Sequence, residues 1–507
     1  MGKLKKLVGD TAIYGLSSII GRFLNYLLVP LYTYKIAAES GGYGVVTNIY
    51  AYTALILVVL TFGMETTFFR FANKEGVNPQ KAFSTSLFSV GGVSLLFVLL
   101  CTVFTVVFPV LPNALGYANH PEYIEMMAIV VAIDAFQAIL FAYLRYQKRS
   151  GKFAALKLLF IFLNIGLNLF IFLLAPSLYE SHPSLMGWYD PGYQVGYIFV
   201  VNLICTSLIT FCFLPELKNL SNGYDGKLMK EMWKYTWPLL IFGIIGIMNQ
   251  VADKICYRFI VPGREGDTQL GIYGACVKIA MIMAMITQAF RYAYEPFVFG
   301  ENREEAKKSK EMQAKVMKYF VIFTLLAFVA VMAYMDVLKF IISRGYWEGL
   351  DAVPIVMMAE IFMGIYFNLS FWYKLIDKTY WGAIISAIGC AMLLTINFVF
   401  VPRFGYMACA WAGFAGYGIC MVLSYILGQK YNPVPYKLMP IFGYFVLAVG
   451  IFFASKYLRE FLYPESAVMA IIVNTLLLLV YVGVVSYNER ALVKGVWAGV
   501  KRKIFKR

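Results

Sequence analysis

Apolar runs long enough to cross a bilayer recur along the whole chain, separated by short polar stretches. A span needs about 20 apolar residues. By that measure the first run covers 11–34, TAIYGLSSIIGRFLNYLLVPLYTY, directly after a basic start with Lys3, Lys5 and Lys6. Runs two to six fall at 43–64, 82–108, 123–143, 153–174 and 193–213. A polar linker over 215–234 precedes runs seven to twelve at 237–259, 271–298, 319–340, 352–374, 380–401 and 406–427. Runs at 438–457 and 467–487 complete an all-α polytopic membrane protein of about 14 helices. The expected division is an N-terminal lobe of helices one to six (1–220), a C-terminal lobe of helices seven to twelve (221–430), helices 13 and 14 (431–490) and a basic tail (491–507). The first run is too long for the apolar core of a cleaved signal and carries Arg22, so it reads as a helix that stays.

Composition agrees with this pattern. The chain of 507 residues is 61% hydrophobic and 14% charged, against roughly 25% charged in soluble domains. Its net charge of +16 does not indicate nucleic acid. With the N-terminus in the cytoplasm, the even-numbered connections hold most of the Lys and Arg, including Arg145, Lys148, Arg149, Lys152, Lys307, Lys308 and Lys310. The opposite face has only a scatter, such as Lys35, Arg258, Arg264 and Arg344. This is the asymmetry of the positive-inside rule, with both termini cytoplasmic. The tail ALVKGVWAGVKRKIFKR is expected to lie on the anionic inner leaflet.

Several charges stand where hydrocarbon is expected. An arginine at mid-span costs at least about 2.5–3.5 kcal/mol on insertion scales and faces protein or a wet cavity. Ser18, Arg22, Asn25 and Tyr26 share one stripe of the first helix. Lys157 lies about one turn from the cytoplasmic end of helix five, where it can snorkel or continue a stripe through Asn164 and Asn168. Asp134 and Gln137 share a face of helix four, and Asp253-Lys254 sit near the outer end of helix seven. Helix eight holds Lys278, Arg291 and Glu295, the last two an i, i+4 pair, and helix ten holds Glu360. The cations match or slightly outnumber the anions, which suits an anionic headgroup, and arginine suits phosphate through its two-pronged donor set. Tyr14, Tyr26 and Tyr366 are candidates to stack on sugars, with interfacial anchoring as the plainer alternative.

No catalytic grouping, phosphate loop or metal-ligand spacing occurs, so neither an enzyme nor a bound cofactor is expected. A proton or Na⁺ is a possible coupling ion, with Asp134, Asp253, Glu295 and Glu360 as the groups that could bind it. There is also a faint repeat. YGLSSIIGRFLNYLLVP followed by GGYG is echoed by YTWPLLIFGIIGIMNQVADK followed by LGIYG. Six helices per copy would insert both copies in the same orientation, with a site between them.

Gly21-Arg22, Gly42-Tyr43-Gly44, Gly63-Met64-Glu65 and Arg70-Phe71 resemble the start of a bacterial polysaccharide-repeat-unit flippase of the Wzx/polysaccharide-transporter type. So do Tyr235…Pro238-Leu239, Asn249…Asp253-Lys254 and Gly271-Ile272-Tyr273-Gly274. The superfamily also holds the multidrug-and-toxin exporters and the lipid II flippase. The resemblance spans essentially the whole chain and rests on order and spacing. It implies two six-helix lobes around a central cavity plus two added helices, in the bacterial inner membrane. The implied activity is alternating-access transfer of an undecaprenyl-pyrophosphate-linked oligosaccharide to the outer leaflet, for surface polysaccharide biosynthesis. By position, pyrophosphate binding would fall on Arg22, then on Lys278, Lys254 and Arg291, with Lys157 and Asn25 lining the same path. Expected partners are the lipid-linked oligosaccharide, membrane lipids and the polysaccharide polymerase machinery. An ion-coupled drug exporter on the same fold would want a cavity dominated by carboxylates. A lipid II-type flippase is a further alternative. A membrane-embedded glycan ligase would want a large outer loop, and the outer loops here are all about 20 residues or shorter.

Overall fold

The computed structural model describes residues 26–218, 220, 223–300, 306–462 and 466–490, with 292–293, 295–300, 306–309, 462 and 467 described as backbone only. Most of the first apolar run, including Arg22 and Asn25, lies outside the described residues, as does the basic tail. Among the described residues, thirteen helices are long and apolar enough to cross a membrane. They correspond one for one to the second to fourteenth apolar runs.

We number the principal helices in chain order. The described end of the first run is α1 (Leu28–Lys35). It is followed by α2 (Gly42–Thr61), α3 (Pro79–Thr102), α4 (Pro121–Tyr146), α5 (Ser150–Leu169) and α6 (Gln194–Phe211). Then come α7 (Gly226–Ile260), α8 (Arg264–Gly300), α9 (Ala306–Ala333), α10 (Val353–Leu369), α11 (Tyr380–Phe404) and α12 (Tyr406–Tyr431). The last two are α13 (Leu438–Leu462) and α14 (Ala467–Asn488).

Local chemistry sets where these helices begin. Asn78 accepts from the Gln80 amide at 2.9 Å ahead of Pro79, so α3 starts with a cap and with the residue whose missing N–H costs least there. Asp225 caps α7 through the Lys227 and Leu228 amides at 3.0 and 3.1 Å, and Ser466 caps α14. The second apolar run breaks at Phe62-Gly63, where Gly63 has φ 73°, and a separate helix follows over Met64–Ala72. Two of the expected loops contain helix: Val110–Leu115 and Ala175–Ser181.

By contacts the chain forms two compact units. Unit 1 comprises the described residues up to Lys278 with Ile342–Ala352 and Gly382–Gly416; unit 2 holds Ile279–Ile341, Val353–Trp381 and the described residues from Tyr417 on. This grouping follows packing, whereas the division at 220 and 430 follows the repeat; the two are different partitions of the chain.

In unit 1, α4 is the buried centre, with 72% of its most apolar window enclosed. Met64, Phe68, Phe83, Leu87, Ile139 and Phe213 close the core at one end of it. By contrast α3 turns Leu95, Leu96 and Leu99 outward, each more than half exposed. Apolar side chains on the outside of satisfied helices are what a lipid solvent permits.

In unit 2, α9 packs beside α10, α13 and α14. Buried Tyr481 of α14 donates to the Ile322 carbonyl at 3.1 Å, and Asn474 donates to the Ala333 carbonyl at 3.0 Å.

Candidate functional site

The site in unit 1 begins with glycines. The G-G-Y-G and L-G-I-Y-G segments, matched in sequence as a repeat, lie against each other at the starts of α2 and α8. A Cβ on Gly44 would fall 1.8 Å from the Asp267 carbonyl oxygen, and one on Gly271 would fall 2.9 Å from the Gly44 nitrogen. A Cβ on Gly274 would meet Thr47 Oγ1 at 2.5 Å. Only glycine allows this backbone-to-backbone approach. It brings α2 close to the polar groups of α7 and α8.

Asn48 of α2, fully buried, donates to the Lys254 carbonyl at 2.7 Å and accepts from Tyr117 Oη at 2.6 Å. On α7, Lys254 Nζ lies 3.0 and 2.9 Å from the two Asp253 oxygens. Asp253 is buried and also accepts from Tyr273 Oη of α8 at 2.9 Å. The lysine ammonium stands 5.6 Å from the Tyr273 ring centroid. Consecutive side chains diverge on a helix, and the long lysine stem is what lets Lys254 curl back to Asp253.

Lys278, five residues beyond Tyr273, is half-buried. Its electrostatic neighbour is Lys254, and among the described residues no carboxylate pairs with it. Lys278 is thus a cation in a spanning helix that no carboxylate pairs with among the described residues, while the neighbouring Lys254 is already paired with Asp253.

Beyond this lies a second network that the sequence does not announce. The Arg258 guanidinium sits 3.7 Å from the Tyr117 ring centroid, donates to the Gly116 carbonyl at 2.8 Å and lies 3.2 Å from Asp267 Oδ2. Burial pushes the Tyr117 phenol well above its ordinary value, and the guanidinium draws it partly back. By sequence Arg258 belongs to the outer-face scatter. Its tie to the loop before α4 spans more than 100 residues and has no local signal.

The other deep charges of unit 1 gather between α2, α4, α5 and α6. Thr206 Oγ1 stands 3.5 Å from Asp134 Oδ1, a weak contact, while Gln137 donates to the Thr206 carbonyl at 2.8 Å and to Thr210 Oγ1 at 2.7 Å. Asn202 donates to Tyr50 Oη. The asparagine stripe continues through Asn164 and Asn168 to Tyr32, whose hydroxyl donates to Asn168 Oδ1 at 2.9 Å. Half-buried Lys157 places Nζ 4.0 Å from the Phe141 ring centroid, within electrostatic range of Asp134.

Unit 2 holds the remaining candidates. Arg291 is exposed, 5.2 Å from the Phe367 ring centroid. Glu360 is half-buried. The side chain of Glu295 lies outside the described residues, as do Arg22 and Asn25. The structure thus brings together Asp253, Lys254 and Lys278 as one set and Asp134 with Lys157 as another. Among the described residues no group of three His, Cys, Asp or Glu is placed to hold a metal ion.

Comparison with known proteins gives the family and the fold. A family described as "Polysaccharide biosynthesis protein" matches residues 7–293, more than half of the chain. A search of curated proteins gives no match. Among solved structures, "Lipid II flippase MurJ, inward closed conformation" is similar at a TM-score of 0.68 and 15% identity, covering 95% of this chain and 99% of that one. A multidrug resistance MATE family transporter of the MOP superfamily, in its inward-facing conformation, gives 0.62 at 13% identity, covering 83% of this chain and 97% of its own. The MATE multidrug transporter DinF-BH gives 0.56 at 17%, covering 84% and 94%. At these identities the likeness shows the fold: a multi-pass helical membrane protein of the MurJ and MATE type.

Proposed function

Because this chain belongs to the polysaccharide biosynthesis protein family, we propose that it is a flippase for an undecaprenyl-pyrophosphate-linked oligosaccharide repeat unit. It works by alternating access between two lobes, 1–220 and 221–430, in the bacterial inner membrane with both termini in the cytoplasm. The observation that carries this reading is Lys278: a half-buried cation in a spanning helix, with a second lysine as its electrostatic neighbour and no carboxylate pairing with it among the described residues. A pyrophosphate supplies the missing negative charge, with Lys254, now paired with Asp253, as the neighbouring cation. Arg22, Asn25, Arg291 and Lys157 serve the same headgroup along its path, while the sugars cross in water and the lipid tail stays in the bilayer. Asp134, Asp253, Glu295 and Glu360 are the groups for a coupling proton or Na⁺; no other cofactor is required, and no bond is made or broken. The flipped unit passes to the polymerase machinery.

The test is translocation of a polyprenyl-pyrophosphate-linked oligosaccharide in proteoliposomes, comparing the unmodified chain with folded Arg22→Ala and Lys278→Ala. Transport by the unmodified chain that falls at least about tenfold in Lys278→Ala, as loss of a charge-assisted contact requires, supports the reading. Equal transport by all three keeps the flippase and removes both residues from the headgroup site. No transport of any of several glycans, with efflux of a cationic dye instead, replaces the flippase with an exporter.

A further inference from the structure

Unit 1 has a cavity of about 700 Å³ separate from the lysine site. It is formed where four connections meet: the turn before α2, the start of α8, the segment Arg344–Ala352 ahead of α10, and the α11–α12 turn. All four are odd-numbered connections, on the face that the charge asymmetry assigns to the outside. The volume lies within the roughly 300–1,000 Å³ of small-molecule sites.

Its lining combines two kinds of group. Glu39, Glu265 and Glu348 are exposed in it, and among the described residues none of these carboxylates is in an ion pair. Glu265 accepts from Gln269 Nε2 at 3.2 Å, whereas the carboxylates of Glu39 and Glu348 accept no hydrogen bond among the described residues. Arg264 is partly committed, donating through Nε to the Glu39 carbonyl at 3.0 Å. Beside these open acceptors Phe404 presents a ring that is 62% exposed. Carboxylates alone on a surface are ordinarily just solvated. A concave wall that sets an uncovered aromatic face beside uncommitted acceptors suits a sugar, whose C–H face covers the ring while its hydroxyls donate to the carboxylates.

We propose that this cavity binds the glycan portion of the cargo on the outer face, taking neutral or amine-bearing sugars and excluding uronic acids. The charge selection follows from three carboxylates facing one guanidinium. Binding does not depend on the flippase reading; the role as a receiving site for flipped glycan rests on it.

The test uses the full chain in detergent and calorimetric titration with three probes: triacetylchitotriose, the glucosamine trimer and trigalacturonic acid. The glucosamine trimer should bind at least about tenfold tighter than trigalacturonate, because its ammonium groups meet the carboxylates whereas trigalacturonate brings like charge to them. Triacetylchitotriose should fall between them. Phe404→Ala should weaken both binders, and its exposure leaves the fold undisturbed. Glu348→Gln should weaken the glucosamine trimer and spare triacetylchitotriose. Absence of binding by all three at millimolar concentration, equal binding of trigalacturonate, or binding indifferent to both variants overturns the proposal. Transport in proteoliposomes is read separately: its failure with binding intact removes the flippase reading and leaves this site, and the reverse result removes this site alone.

Discussion

Replacing Gly44 with alanine places a methyl group 1.8 Å from the Asp267 carbonyl oxygen. Carbon and oxygen do not approach closer than about 3 Å, so α2 and α8 must separate by roughly 1 Å at this crossing. Neither atom can swing away, because one is fixed to the α2 backbone and the other belongs to the α8 backbone. Overpacking typically costs about 1–3 kcal/mol, and a backbone clash belongs at the upper end, about 3 kcal/mol. Helix propensity works the other way, since alanine in place of glycine gains about 1 kcal/mol. The net expectation is a loss of about 2 kcal/mol. Gly246 in α7 is the control, because a Cβ there meets nothing within 4 Å; Gly246→Ala should gain up to about 1 kcal/mol. The assay is thermal unfolding of both variants in the same detergent, with hydrogen exchange over the first turns of α2. Faster exchange there in Gly44→Ala, together with a lower melting temperature than Gly246→Ala, is the expected result. Equal melting temperatures would refute the reasoning that this crossing is set by backbone contact.

Three further expectations follow from particular contacts. Glu216, 1% exposed, meets Arg149 at 2.9 Å and Lys152 at 2.7 Å. Both cations are partly solvated, so Glu216→Gln should cost about 2 kcal/mol, less than the roughly 3–5 of a fully buried pair, read by chemical unfolding. The Leu228 amide first, then the Lys227 amide and Lys81, hold the Asp225 carboxyl below its ordinary value. A depressed folded value means the cap stabilises the start of α7 above about pH 4, the usual aspartate range, and is lost as pH falls through the folded value. Protection of the amides at the start of α7, taken relative to their intrinsic exchange rates at each pH, should therefore fall on acidification, and Asp225→Asn should abolish that dependence. Arg258→Lys keeps the charge but not the planar fork that reaches Tyr117, Gly116 and Asp267 together. It should loosen the loop before α4 and lower stability by about 1 kcal/mol, and an unchanged melting temperature would count against the network.

The succession of apolar spans and their order can be read from residues alone, because a bilayer demands about 20 apolar residues per crossing whatever the neighbours are. Glycine motifs, caps such as Asn78-Pro79 and Asp225, and the deep charges Asp134, Lys157, Asp253, Lys254 and Lys278 are likewise visible without coordinates, since each breaks or satisfies a local rule. Their pairing is not. Which face of a spanning helix meets protein and which meets lipid leaves little mark when both are apolar, so α3 and α4 read alike although one is outward and the other enclosed. Likewise nothing local ties Arg258 to Tyr117, Asn48 to Lys254, or four distant connections to one cavity. Those partnerships arise from the close approach of α2 and α8, and that approach depends on two glycine segments more than 220 residues apart fitting each other in space.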